Sequence, residues 1–150
     1  MRAGPEAGAP DGTRLESAGP EDTEALGARV AAGLRPGDLV LVRGELGAGK
    51  TTFVRGAARA LGVTDPITSP SFSIGHRYAG RGVTVSHLDL YRLDDLSGEE
   101  PDLLDDYLGP GRIAFVEWPE HGRGELPPAR VVVTLRHGGG DRREVEVRQT

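Results

Sequence analysis

The sequence predicts an α/β fold, a single three-layer domain around a mixed, partly parallel sheet extended by antiparallel strands. Three observations carry that prediction. Residues 38–43 and 113–116 are short, nearly continuous apolar runs, the pattern of strands covered on both faces. The first run passes through a glycine-rich turn into an apolar spacing of helical period, so strand, loop and helix follow one another. Two further pairs of segments, 71–78 with 83–88 and 131–135 with 144–147, read as hairpins that add antiparallel strands.

Composition bounds the rest. A chain of 150 residues is one domain of ordinary size, and its 23 glycines and 11 prolines point to loose ends around a folded centre. With no cysteine there is no disulfide, thiolate metal site or cysteine nucleophile. The net charge of −5 argues against tight autonomous binding to a polyanion, so any contact with nucleic acid is expected only as one member of a complex. Almost all the positive charge is arginine, and Lys50 is the only lysine. The N-terminus lacks the apolar core of a signal peptide, and no run of apolar residues is long enough to span a membrane. A cytoplasmic location without membrane contact is the expectation.

Taken in order, residues 1–20 are a glycine, alanine, proline and glutamate mixture with no sustained apolar period, and are expected to be a disordered tail before a domain of residues 21–150. The first helix should start between Glu21 and Thr23, carry Ala25, Leu26, Val30 and Leu34 on one face, and stop at Pro36 and Gly37. After strand 38–43, the helix over 51–61 buries Phe53, Val54, Ala57, Ala58 and Leu61, and ends at Gly62. Residues 64–72, with two prolines and four hydroxyls, form a loop. The first hairpin follows, turning at residues 79–82. Residues 94–108 then read as an acidic short helix interrupted near Pro101.

The turn after the first strand reads GELGAGKT, residues 44–51, and fits G-x-x-x-x-G-K-S/T without a mismatch in the context that pattern requires. Glycines let backbone N–H groups curl inward around a polyphosphate, and the helix N-terminus adds positive potential. Gly47, Ala48 and Gly49 supply the cradle, Lys50 reaches the outer phosphates, the Thr51 hydroxyl enters a magnesium shell and Thr52 donates to the α phosphate. The pattern is that of a phosphate loop, or Walker A sequence, in a P-loop NTPase domain, for which a nucleoside triphosphate and Mg²⁺ are the expected ligands.

Two strand ends offer the carboxylates that a phosphate loop lacks. Asp89 closes one predicted strand and Glu117 another, where ligands gather in parallel sheets. Either can bind magnesium while the other orients the attacking water, and each also reads as an ordinary surface acid. His87 can orient Asp89 or serve as a structural histidine, and the histidines show no zinc spacing. Ser69 and Ser71 lie in the loop after the phosphate-loop helix, where hydroxyls can sense a γ phosphate, and Arg92 is a candidate transition-state charge or an exposed structural arginine. Trp118 reads from its position alone as packing.

GELGAGKTTF, TSPSF, HLDLYRL and VEWPE, in this order and at these separations, resemble the TsaE (YjeE) family of bacterial ATPases from Glu21 to about Leu135. The resemblance implies an accessory ATP hydrolase, weak alone and partner-dependent, that acts on the TsaB–TsaD pair during synthesis of threonylcarbamoyladenosine on tRNA. It implies that Lys50 and Thr51 hold phosphate and magnesium, that Glu117 completes the metal site, that Asp89 is an essential acid, that Trp118 lies beside the nucleotide and that the segment around Thr23 approaches the adenine. Ser71 stands where the family loop usually has threonine, keeping the hydroxyl and losing a methyl group, and residues 1–20 have no counterpart.

Two other functions fit the same loop. A P-loop kinase for a small metabolite would need an acceptor pocket and an arginine-bearing lid, for which the short loops leave little room. A nucleotide-binding interaction module would keep the loop and make no use of Asp89 or Glu117 in turnover.

Overall fold

A computed structural model of the chain describes residues 12–70, 74–91, 103–122 and 126–150. Its centre is a seven-stranded mixed sheet of strand order β1-β7-β6-β2-β5-β4-β3. The strands are β1 (Thr13–Ser17), β2 (Leu39–Gly44), β3 (Gly75–Ala79), β4 (Thr84–Asp89), β5 (Arg112–Glu117), β6 (Val131–His137) and β7 (Arg143–Gln149). β6, β2, β5 and β4 run parallel, while β3 and β7 pair antiparallel at the flanks, as the alternation and turn residues predict.

The central strands are apolar on both faces because both faces are covered. Val40, Val42, Val85, Ile113 and Phe115 pack with Leu26 of α1 (Pro20–Ala31) and Phe53, Val54 and Ala57 of α2 (Lys50–Ala60). The residues between them, Leu39, Leu88, Ala114 and Val116, point to the other face and meet Leu104, Tyr107, Leu108 and Leu126. Among the described residues this second cover is built from a 3-10 turn, Leu103–Asp106, and loops rather than from an α-helix. Most of the expected helix over 94–108 lies outside the described residues.

α1 and α2 touch backbone to backbone. A Cβ on Gly27 would fall on the Phe53 carbonyl, and one on Gly56 on the Glu24 carbonyl. Only glycine permits this approach.

The N-terminal expectation needs correction. Residues 1–11 lie outside the described residues, but Thr13–Ser17 is not a loose tail: it forms the edge strand β1, antiparallel to β7 with Thr13 opposite Val147. Leu15 packs on the main core, and the ladder satisfies backbone groups that composition alone would assign to water. α1 starts at Pro20, one residue before the expected window; proline suits the first helical position because its missing N–H has no partner there in any case. Among the described residues no helix is long and apolar enough to cross a membrane.

Candidate functional site

β2 lies between β5 and β6, and its last residue, Gly44, opens the glycine loop that runs into α2. Gly47 and Gly49 take φ of +76° and +100°, left-handed values that β-branched or bulky residues would resist. The Ala48 N–H donates to the Glu45 carbonyl at 3.1 Å and closes the turn. Gly49 is the N-cap of α2 and makes no side-chain cap, so the loop ends on a helix N-terminus of positive potential.

Lys50 is buried at 5% exposure. Its Nζ donates to the Gly44 carbonyl at 2.7 Å and to the Glu45 carbonyl at 2.8 Å, and lies 4.3 Å from the centre of the Trp118 ring. Burial pushes the amine below its ordinary pKa, while the carboxylates of Glu117, Asp89, Glu120 and Glu45 oppose that shift.

The two predicted carboxylates come from adjacent strand ends. Asp89 and Glu117 are directly opposite in the β4–β5 ladder, and strand alternation turns both toward the face that carries the helices. Glu117 is buried. Its Oε2 accepts the Thr51 hydroxyl at 2.9 Å and lies 2.6 Å from His87 Nε2. Thr51 Oγ1 is also 2.8 Å from Ser69 Oγ, which brings the loop after α2 to the same point. His87 therefore bonds Glu117, not Asp89 as its sequence position suggests: His87 is opposite Phe115, and its ring reaches diagonally to the next residue on that face.

Asp89 Oδ1 accepts the Tyr91 N–H at 3.0 Å. Burial holds its carboxyl above the usual carboxylate range and Glu117 adds to the effect, against the Tyr91 N–H, His87 and Lys50. Among the described residues no cluster of three or more His, Asp or Glu side chains forms a self-sufficient metal site.

Trp118 follows Glu117 with φ +58°, and its ring lies 4.8 Å from that of Tyr91. An open pocket of ≈ 810 Å³ beside the loop is lined by Gly44, Glu45, Leu46, Tyr91, Trp118 and His137. Thr23 is buried on the other side, its methyl group facing Gly49 and its hydroxyl 2.7 Å from Ser17 Oγ. Thr52 is half-buried in the first turn of α2. Lys50, Thr51, Ser69, Asp89, Glu117 and Trp118 thus converge on one end of the sheet, whereas Ser71 and Arg92 lie outside the described residues. His137 and Arg143 also reach the loop, from β6 and β7, and no spacing rule in the sequence connects positions that far apart.

A buried amine, a helix N-terminus and a hydroxyl–carboxylate pair suit a polyanion accompanied by a divalent cation. The family model described as "Threonylcarbamoyl adenosine biosynthesis protein TsaE" matches residues 17–145. The chain belongs to the TsaE family. It is 39% identical over 127 residues to the tRNA threonylcarbamoyladenosine biosynthesis protein TsaE of Bacillus subtilis, covering 84% of this chain and 78% of that protein. It is 42% identical over 118 residues to TsaE of Streptomyces coelicolor, covering 77% of this chain and 80% of that one. The crystal structure of Bacillus subtilis YdiB superposes with a TM-score of 0.75 at 32% identity, over 92% of this chain and 86% of the other. As a member of the TsaE family the chain is a threonylcarbamoyladenosine biosynthesis protein, with the P-loop NTPase-like α/β fold that its sequence predicts.

Proposed function

We propose that the chain is a magnesium-dependent ATP hydrolase that serves threonylcarbamoyladenosine formation on tRNA as the accessory protein of a TsaB–TsaD pair. The observation that carries this reading is the 2.9 Å contact between the Thr51 hydroxyl, on the first turn of the helix behind the glycine loop, and the buried Glu117 carboxylate. One hydroxyl and one carboxylate fit a magnesium ion that would take its remaining ligands from phosphate and water. When bound, magnesium would offset the charge of the outer phosphates.

The chain's own groups account for the rest. Lys50 exchanges its two carbonyl partners for phosphate oxygens, and the N–H groups at the start of α2 face the same anion. Glu117 is oriented by His87. Asp89, at the next strand end and with a raised pKa, orients the attacking water and receives its proton. The nucleoside end lies on the α1 side of the loop, where Thr23 meets Gly49 and a ≈ 400 Å³ pocket opens between Ser17, Asp22 and Arg142. The acidic net charge of −5 leaves tRNA to the partners.

The test is reconstitution with TsaB, TsaD, threonylcarbamoyl-adenylate and tRNA under multiple turnover. The chain should raise the yield of modified tRNA in an ATP-dependent way. An unchanged yield contradicts the accessory role, and labelled phosphate appearing on an added metabolite would favour a kinase.

A further inference from the structure

One hairpin holds three successive carbonyls on the outer side of the glycine loop. Arg143, the first residue of β7, donates from Nε to the Ala48 carbonyl at 3.1 Å and from Nη2 to the Gly47 carbonyl at 3.0 Å. His137, its partner across the β6–β7 ladder, has Nε2 at 3.2 Å from the Leu46 carbonyl and donates there in the tautomer protonated on that nitrogen. The guanidinium is itself braced, because Nη1 donates to the carbonyls of Gly140 and Arg142, both at 2.8 Å.

The geometry has a consequence for the inner side of the loop. A trans peptide is planar, so its C=O and N–H point in opposite directions. Drawing the Gly47 and Ala48 carbonyls toward Arg143 turns the following N–H groups, of Ala48 and Gly49, the other way. The Ala48 N–H closes the turn on Glu45, and Gly49 is the N-cap residue from which α2 starts. Glycines at 47 and 49 give these peptides other accessible orientations, and a planar guanidinium fork is suited to fixing two neighbouring carbonyls at once.

We infer that Arg143, assisted by His137, is a positioning residue that sets the glycine loop in its anion-receiving form before phosphate arrives. The inference rests on the reading of the loop as a polyphosphate site. Arg143 also lines the pocket beside Ser17 and Asp22, so a direct contact with the nucleoside has to be separated from an effect through the loop.

The experiment measures binding of MgADP and of magnesium with inorganic tripolyphosphate, which lacks base and ribose, to the full chain. Arg143→Ala should weaken both about tenfold, roughly the loss of one charge-assisted hydrogen bond. Millimolar guanidinium ion should restore part of that affinity, and Arg143→Lys, which keeps the charge without the fork, should bind less tightly than wild type. Arg148→Ala, on the same strand but away from the loop, should bind as wild type does. Wild-type affinity in Arg143→Ala overturns the clamp, and so does a loss confined to MgADP. Should the alanine variant not fold, unchanged affinity in Arg143→Lys overturns it equally. A wild-type chain that binds neither probe overturns the polyphosphate reading and the clamp with it.

Discussion

His87 Nε2 lies 2.6 Å from Glu117 Oε2 in a buried pair, and the same carboxylate oxygen accepts the Thr51 hydroxyl. His87 Nδ1 has no hydrogen-bond partner among the described residues, so the ring is held by its one bond to Glu117 and by packing. A histidine in this position fixes the carboxylate's direction, as outer partners of metal ligands do. His87→Gln should lower ATP turnover by about 10- to 100-fold while nucleotide affinity changes little. Steady-state hydrolysis and ADP titration on the same variant check this; equal losses in both would assign His87 to folding of the loop instead.

The only tryptophan, Trp118, has its ring 4.3 Å from Lys50 Nζ. Nucleotide binding that draws the amine off its carbonyl partners changes the charge beside the indole, so intrinsic fluorescence should shift on adding MgADP. Lys50→Met keeps an apolar stem under the ring and removes the charge. It should lose both the nucleotide-dependent shift and hydrolysis, with the fold retained by circular dichroism.

Asp89 is held above the usual carboxylate range by burial first and by Glu117 second. Its folded-state pKa is above its unfolded one, so the stability linked to this group is complete below the unfolded pKa and is lost as pH rises through the folded value. Asp89→Asn keeps an oxygen for the Tyr91 N–H and carries no charge. The variant should melt above wild type at about pH 7.5, the gap narrowing toward about pH 4 as the wild-type carboxyl takes up its proton. Turnover should be abolished at both. Thermal melts across this range test the sign, and a variant less stable than wild type at the upper pH would contradict it.

Gly56 stands where a Cβ would meet the Glu24 carbonyl across the α1–α2 contact. Gly56→Ala raises helix propensity but forces the helices apart, and should cost about 1–3 kcal/mol in chemical denaturation. A stabilised variant would show that the helices separate freely.

Local patterns carry most of the fold. β2, the glycine loop and α2 are contiguous, so strand composition, glycine punctuation and helical period all act within residues 38–62 and are readable there. Asp89 and Glu117 are legible as strand ends, and their pairing follows once β4 and β5 lie side by side in parallel. What is not local is not legible. Thr13–Ser17 has a weak pattern of its own and becomes a strand because β7 offers it an edge. The choice of Glu117 over Asp89 by His87 depends on the register between β4 and β5, and the hold of Arg143 on Ala48 joins residues 95 positions apart.

The central claim, that Glu117 and Thr51 form the metal side of a working ATP site, is tested most directly by single-turnover hydrolysis of γ-labelled MgATP with TsaB–TsaD present. Wild type should release labelled phosphate, and Glu117→Ala should bind nucleotide, remain folded and release none above background. Phosphate release at the wild-type rate from Glu117→Ala would contradict the account.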